Sequence, residues 1–211
     1  MPRSSPNLRR KLSAAESADP NVERILDGAL ETFVDLGIKR SSMNDVARRS
    51  RISPATLYRR FGKSGLIEAV GLREARRILA EIDQMMEELR SSGADLETQV
   101  TELMLAAMSY GRGHRLFKRL VRTEPELVLP LFTTDGEAVI ALGRDYLSDV
   151  IRRFQHDGML PEYDPAPIAE VLARLTTSLV LTRATLLPVD NREKAREFVR
   201  QFLLPSLQAG A

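Results

Sequence analysis

Residues 42–63, SMNDVARRSRISPATLYRRFGK, admit few backbones. Ser42 can N-cap a first helix, and Asp45 three positions on can return the hydrogen bond, a capping box with Asp for Glu. Met43, Val46, Ala47 and Ser50 then fall at i, i+3, i+4 and i+7 and make an inward stripe, with Arg48 and Arg49 pointing out. Ser50, Arg51 and Ile52 form the turn, and Ile52 is its apolar plug. Ser53 caps a second helix whose first position is Pro54, where a missing N–H costs nothing. Leu57 and Phe61 lie one turn apart and face inward.

At 100° per residue the side opposite Leu57 belongs to Ala55 and Arg59, with Thr56 and Tyr58 on the shoulders. A small residue and a guanidinium flanked by hydroxyls suit a major groove, since Arg bonds guanine bidentately and hydroxyls bond phosphates. An ordinary solvated helical hairpin also carries outward charge. Two short capped helices about a tight turn, the second a reader, match a helix-turn-helix.

The surrounding residues make the match specific. Phe33 stands four residues before Gly37, residues 42–47 read SMNDVA, and residues 53–61 read SPATLYRRF before Lys63. In this combination the run 20–70, about 50 of 211 residues, resembles the N-terminal domain of the tetracycline-repressor (TetR) family of bacterial regulators. Arg51 stands where that family usually has Gly, Ala55 replaces a frequent Gly, and Arg60 replaces the usual His or Tyr. The resemblance implies an all-α protein: an N-terminal three-helix DNA-binding domain followed by a C-terminal helical ligand-binding and dimerisation domain. It also implies a homodimer on a palindromic double-stranded operator, released by a small-molecule effector, with no cofactor.

Charge is divided in the same sense. Residues 1–63 hold 13 Lys/Arg against 7 Asp/Glu, and the remainder holds 18 against 22, within a net charge of +2. A basic N-terminal third is expected where one end meets a polyanion. The chain has no Cys, so disulfides and cysteine-ligated metals are excluded and a reducing cytoplasm fits. No apolar run approaches the roughly 18 residues of a membrane span. A cytoplasmic, nucleoid-associated bacterial protein is expected.

Residues 1–19 mix Pro, Ser and basic residues without helical period. Arg3, Arg9, Arg10 and Lys11 form either a phosphate-reaching arm or a solubilising tail. The DNA-binding domain is expected over 20–68. Its first helix carries the stripe Val22, Ile25, Leu26, Ala29, Leu30, Phe33 and Val34 and stops at Gly37. Lys39 and Arg40 lie where the chain passes a phosphate, and Ser42 offers that phosphate an orphan N–H and a helix dipole. Ser64 reads as the N-cap of a fourth helix running to about Leu89, shared by two cores and so able to transmit movement. The phosphate contacts are then Ser42, Arg48, Ser53, Tyr58, Arg60 and Lys63, and the base contacts are Ala55, Thr56 and Arg59.

The domain 69–211 continues in helices near 95–111, 114–122, 126–132, 135–157, 165–187 and 190–207, punctuated by Gly and Pro. Val139, Leu142, Tyr146 and Val150 on one segment, and Leu172, Leu175 and Leu179 on another, belong to unusually wide apolar arcs. They form either a protomer core or the four-helix dimer interface the resemblance implies. Met104, Met108, Tyr110, Phe117, Leu120 and Val121 are flexible or aromatic and suit either an adaptable effector pocket or plain core. His114 and His156 are the only histidines, and without a paired ligand no metal site is expected. Phosphate loops, dinucleotide-binding glycines, HExxH and GxSxG are missing, so an enzyme remains only as a residual alternative to a regulator or an architectural DNA-binding protein.

Overall fold

The computed structural model describes residues 20–182 and 184–209, and every regular element among them is helical. The expected arm over 1–19 lies outside the described residues. In chain order the helices are α1 (Pro20–Leu36), α2 (Met43–Ser50), α3 (Pro54–Arg60), α4 (Lys63–Ser91), α5 (Leu96–Gly113), α6 (Arg115–Thr123), α7 (Pro125–Phe132), α8 (Glu137–His156), α9 (Ala166–Leu181), α10 (Arg192–Phe198), a π-helical turn (Val199–Leu203) and α11 (Leu204–Ala209). The described residues gather into two compact units, one holding 20–79 together with His114–Leu131, the other Ala80–Gly113 and the described residues from Phe132 on. The division falls inside α4, between Leu79 and Ala80, and α6 with most of α7 joins the N-terminal unit.

In the N-terminal unit α1 buries Ile25, Leu26, Ala29 and Phe33, and Gly37 closes it at φ 84°, a left-handed C-cap. Burying each of these apolar side chains is worth about 1.5–3 kcal/mol. Helix α2 contributes Met43, Val46 and Ala47 to this core, α3 contributes Leu57, and α4 contributes Leu66 and Val70, which like Leu57 are wholly buried. Gly28 lets α1 and α2 touch: a Cβ there would lie 2.2 Å from Ser50 Oγ and 2.8 Å from Ser50 N. Helix α4 begins at Lys63, with Leu66 N–H bonded to Gly62 O at 2.9 Å, so Ser64 sits inside the first turn and is not its N-cap.

In the other unit α8 packs along α9, with Gly143 close against Ala173. Helix α9 was expected to reach 187 but ends at Leu181. The next helical bond would use Leu179 O, and the Arg112 guanidinium from α5 takes that oxygen through Nε at 3.1 Å and Nη2 at 2.9 Å. Leu186 is fully exposed in the loop that follows. The C-terminal helices are tied to α5 by Glu97, which accepts from Arg196 Nε at 2.6 Å and from Arg200 at 2.7 and 2.8 Å. These bonds hold the Glu97 carboxyl down at about 2.

Candidate nucleic-acid interface

Helix α2 is fixed at both ends by its own neighbours. Ser42 Oγ accepts from Asp45 N at 3.2 Å, and Asp45 Oδ2 accepts from Ser42 N at 3.0 Å, the reciprocal box expected. At the other end Ile52 N–H bonds Ala47 O and Arg51 N–H bonds Arg48 O, at 3.0 and 3.2 Å, which is the Schellman pairing. Arg51 accordingly sits at φ 54°, ψ 43°, the sole left-handed non-glycine among the described residues. Ser53 then accepts from Thr56 N at 3.2 Å, and Pro54 opens α3.

With Leu57 wholly buried, α3 turns its opposite side to solvent: Ala55, Tyr58, Arg59 and Arg60 are exposed and Thr56 is half-exposed. Tyr58 is 60% exposed, which for a tyrosine on a seven-residue helix leaves the ring available to a partner. The Thr56 hydroxyl lies 2.8 Å from Ser53 Oγ, so these two hydroxyls are presented as a pair.

The flanking contacts are more constrained than sequence suggests. Ser42 N–H is not an orphan, because Asp45 holds it, and the Ser42 hydroxyl also donates to Asp45 at 2.6 Å. These two bonds, hydroxyl first, keep the Asp45 carboxyl below its ordinary range. A phosphate therefore meets Ser42 only in competition with Asp45. Arg48 bonds Asp45 Oδ1 at 2.8 Å, and Arg49 pairs with Asp35 and, at 3.8 Å, with Glu31. Lys63 donates to Ser41 O at 2.7 Å, tying the start of α4 to the loop before α2 and leaving two ammonium protons. Lys39 is paired with Glu126 of α7, whose hydrogen bond raises the lysine's pKa.

Two supports are missing from the sequence reading, one without a local signal and one with. The Glu124 carboxylate is buried and accepts from Ile38 N at 3.0 Å and Lys39 N at 3.1 Å, against Gly37, where any Cβ would strike it. No local signal marks a partner 86 residues away. Arg73 is 6% exposed and bonds Asp27 at 2.8 Å, with Glu74 at 3.2 Å and Glu23 at 3.4 Å. Its signal was available: Arg73 continues the inward stripe of Leu66 and Val70, and Glu23 and Asp27 stand one turn apart on α1. Burial pushes Glu74 up, but the His114 hydrogen bond and the charges of Arg73 and Arg77 outweigh it and leave the carboxyl below its ordinary range. His114 also caps α6, its Nδ1 accepting from Phe117 N at 3.3 Å, while His156 is exposed beside Asp157.

The remaining expected residues divide. Met104, Met108 and Tyr110 are on α5 in one unit, whereas Phe117, Leu120 and Val121 fall in the other, so no single unit gathers all six. Met108 and Leu120 are buried and the other four half-exposed. A cleft of about 390 Å³ in the C-terminal unit is lined by Met85, Glu88, Leu89, Ser92, Thr98, Glu102 and Arg192, none of them among these six. Along α8, Val139 and Leu142 are half-exposed, but Val150 is 1% exposed and serves the protomer's own core. Tyr146 donates to Asp83 Oδ1 at 3.2 Å, and burial, then the Asp83 charge, push its pKa up. On α9, Leu172 and Leu179 are half-exposed, Leu175 is exposed, and the neighbouring Val171 is exposed at 59%.

These features define a helix-turn-helix protein with a long helix leading into a helical second unit. Residues 25–70 match the family described as bacterial regulatory proteins, tetR family. The transcriptional regulator UidR of Escherichia coli K12 is 38% identical over 71 residues, 33% of this chain and 36% of that protein, so the likeness spans about a third of the relative's length. A TetR-family regulator from Pectobacterium atrosepticum shares the fold with a TM-score of 0.59 at 19% identity, over 98% of both chains. So does FadR of Bacillus subtilis, solved with stearoyl-CoA, with a TM-score of 0.50 at 15% identity over 90% of this chain and 98% of that one. The likeness to the tetR family thus lies in residues 25–70, and the solved structures share the fold over nearly the whole chain. No helix among the described residues is long and apolar enough to cross a membrane.

Proposed function

We propose that the chain is a homodimeric transcriptional regulator that binds a palindromic double-stranded operator and, as a repressor, leaves it when a small-molecule effector binds. The observation that carries this is α3: Leu57 wholly buried, with Ala55 and Arg59 exposed on the opposite side. Arg59, Thr56 and Ala55 meet base edges, while Ser42, Arg48, Ser53, Tyr58, Arg60 and Lys63 meet phosphates and set the register. Val171 and Leu175, apolar and exposed on α9, support a self-complementary face, and a palindrome requires two copies of the reader. FadR of B. subtilis with stearoyl-CoA supports an effector for a fold of this kind. Helix α4 contributes residues to both units and is the covalent path between effector and reader. A change in reader spacing away from the roughly 34 Å turn of B-DNA loses one half-site.

The test is selection of bound duplexes from a random pool, followed by stoichiometry on the enriched sequence. An inverted repeat bound by an even number of chains is expected. No enrichment, with weak binding that falls steeply in salt, would remove the specific-regulator reading.

A further inference from the structure

Arg51 occupies a left-handed position at the turn, where a side chain is sterically costly and glycine is not. Such outliers persist where surrounding structure over-determines them, and they cluster at functional sites. The support here is built: Arg24 of α1 places Nη2 3.1 Å from Ser50 O and 3.2 Å from Arg51 O. One turn along α1, Gly28 receives Ser50 itself. A cation at these carbonyls also complements the C-terminal end of α2.

Among the described residues the charge of Arg51 is unused. Arg48 is met by Asp45, and Arg49 by Asp35 and Glu31, but among the described residues no carboxylate pairs with Arg51 or with Arg24. Both are exposed, and Arg51 lies two residues before the Ser53 cap of α3. We infer that Arg51 is a further backbone-phosphate contact of the DNA interface, and that Arg24 is the positioning residue that holds it there. This rests on the regulator reading above. It also accounts for a strained arginine where a glycine would relax the turn.

Stability and binding then respond to one substitution in opposite directions. Arg51→Gly is expected to raise the melting temperature, weaken binding to the selected operator several-fold, and flatten the slope of log Kd against log salt by about one unit. Arg24→Ala is expected to lower the melting temperature in the natural chain and much less in the Arg51→Gly background. Unchanged affinity and slope in Arg51→Gly would overturn the phosphate contact. An equal Arg24→Ala penalty in both backgrounds would overturn the positioning role. If the unsubstituted chain enriches no sequence, the regulator reading falls and takes this inference with it, an outcome visible before any variant is made.

Discussion

In the N-terminal unit helix α2 stops through its own backbone, whereas in the C-terminal unit helix α9 stops because an arginine from α5 takes its next acceptor. The bonds that end α2 run from Ile52 to Ala47 and from Arg51 to Arg48, all within six residues. The bond that ends α9 runs from Arg112 to Leu179, 67 residues apart. A stop of the first kind is encoded where it acts. A stop of the second kind exists only once the tertiary structure has formed. Helix α3 is therefore placed by contacts near it in sequence, whereas α9 takes its end from packing.

Substitutions at the two helix ends and in the core beneath them test this difference. Leu57→Ala should cost about 2–5 kcal/mol in urea unfolding, because a seven-residue helix is held by its one wholly buried side chain. A loss below about 1 kcal/mol would mean that caps alone hold α3. Gly28→Ala should cost up to about 3 kcal/mol, since the new methyl meets Ser50 backbone as well as its hydroxyl. An unchanged midpoint would show that α1 and α2 part at no cost.

Arg112→Leu should cost about 2 kcal/mol by removing the charged donor that bonds Leu179 O. It should also let α9 extend past Leu181, read as helical carbon chemical shifts over 182–187; shifts unchanged from the natural chain would refute the nonlocal stop. Ser42→Ala should cost about 1 kcal/mol through the lost capping box, with fraying confined to α2 in hydrogen exchange. Fraying that spreads into α3 would mean that the two helices are not separately capped.

The smallest effect is in pH. Glu97 sits at about 2 when folded against an ordinary value near 4.5, so its bonds to Arg200 and Arg196 contribute fully above about pH 4.5 and fade as pH falls towards 2. Exchange protection in α10 should decline across that window and lose the dependence in Glu97→Gln. A decline of the same size in the variant would place the effect elsewhere.

Legibility followed the same contrast. Ser42, Asp45, Ser53, Pro54 and Leu57 were readable because each acts within four residues, and the exposed side of α3 followed from them by helical period. Gly37 was readable as a stop, but the Glu124 carboxylate packed against it was not. Val150 and Tyr146 belonged to an apolar stripe that suits a partner and a protomer core equally. Burial at 1% and a bond to Asp83 then decide how each is used within the protomer. Arg51 read as a departure at the turn, and only its φ angle and the Arg24 bonds give it a cost and a support.

On the function proposed above, the outward side of α3 reads base pairs through Arg59. The most direct test is to repeat the duplex selection with Arg59→Ala and compare base preferences position by position. The expected result is preference lost at one position of each half-site, a discrimination of about 1–3 kcal/mol, with the remaining positions unchanged. An identical profile from the variant would contradict the claim and move sequence reading off this residue.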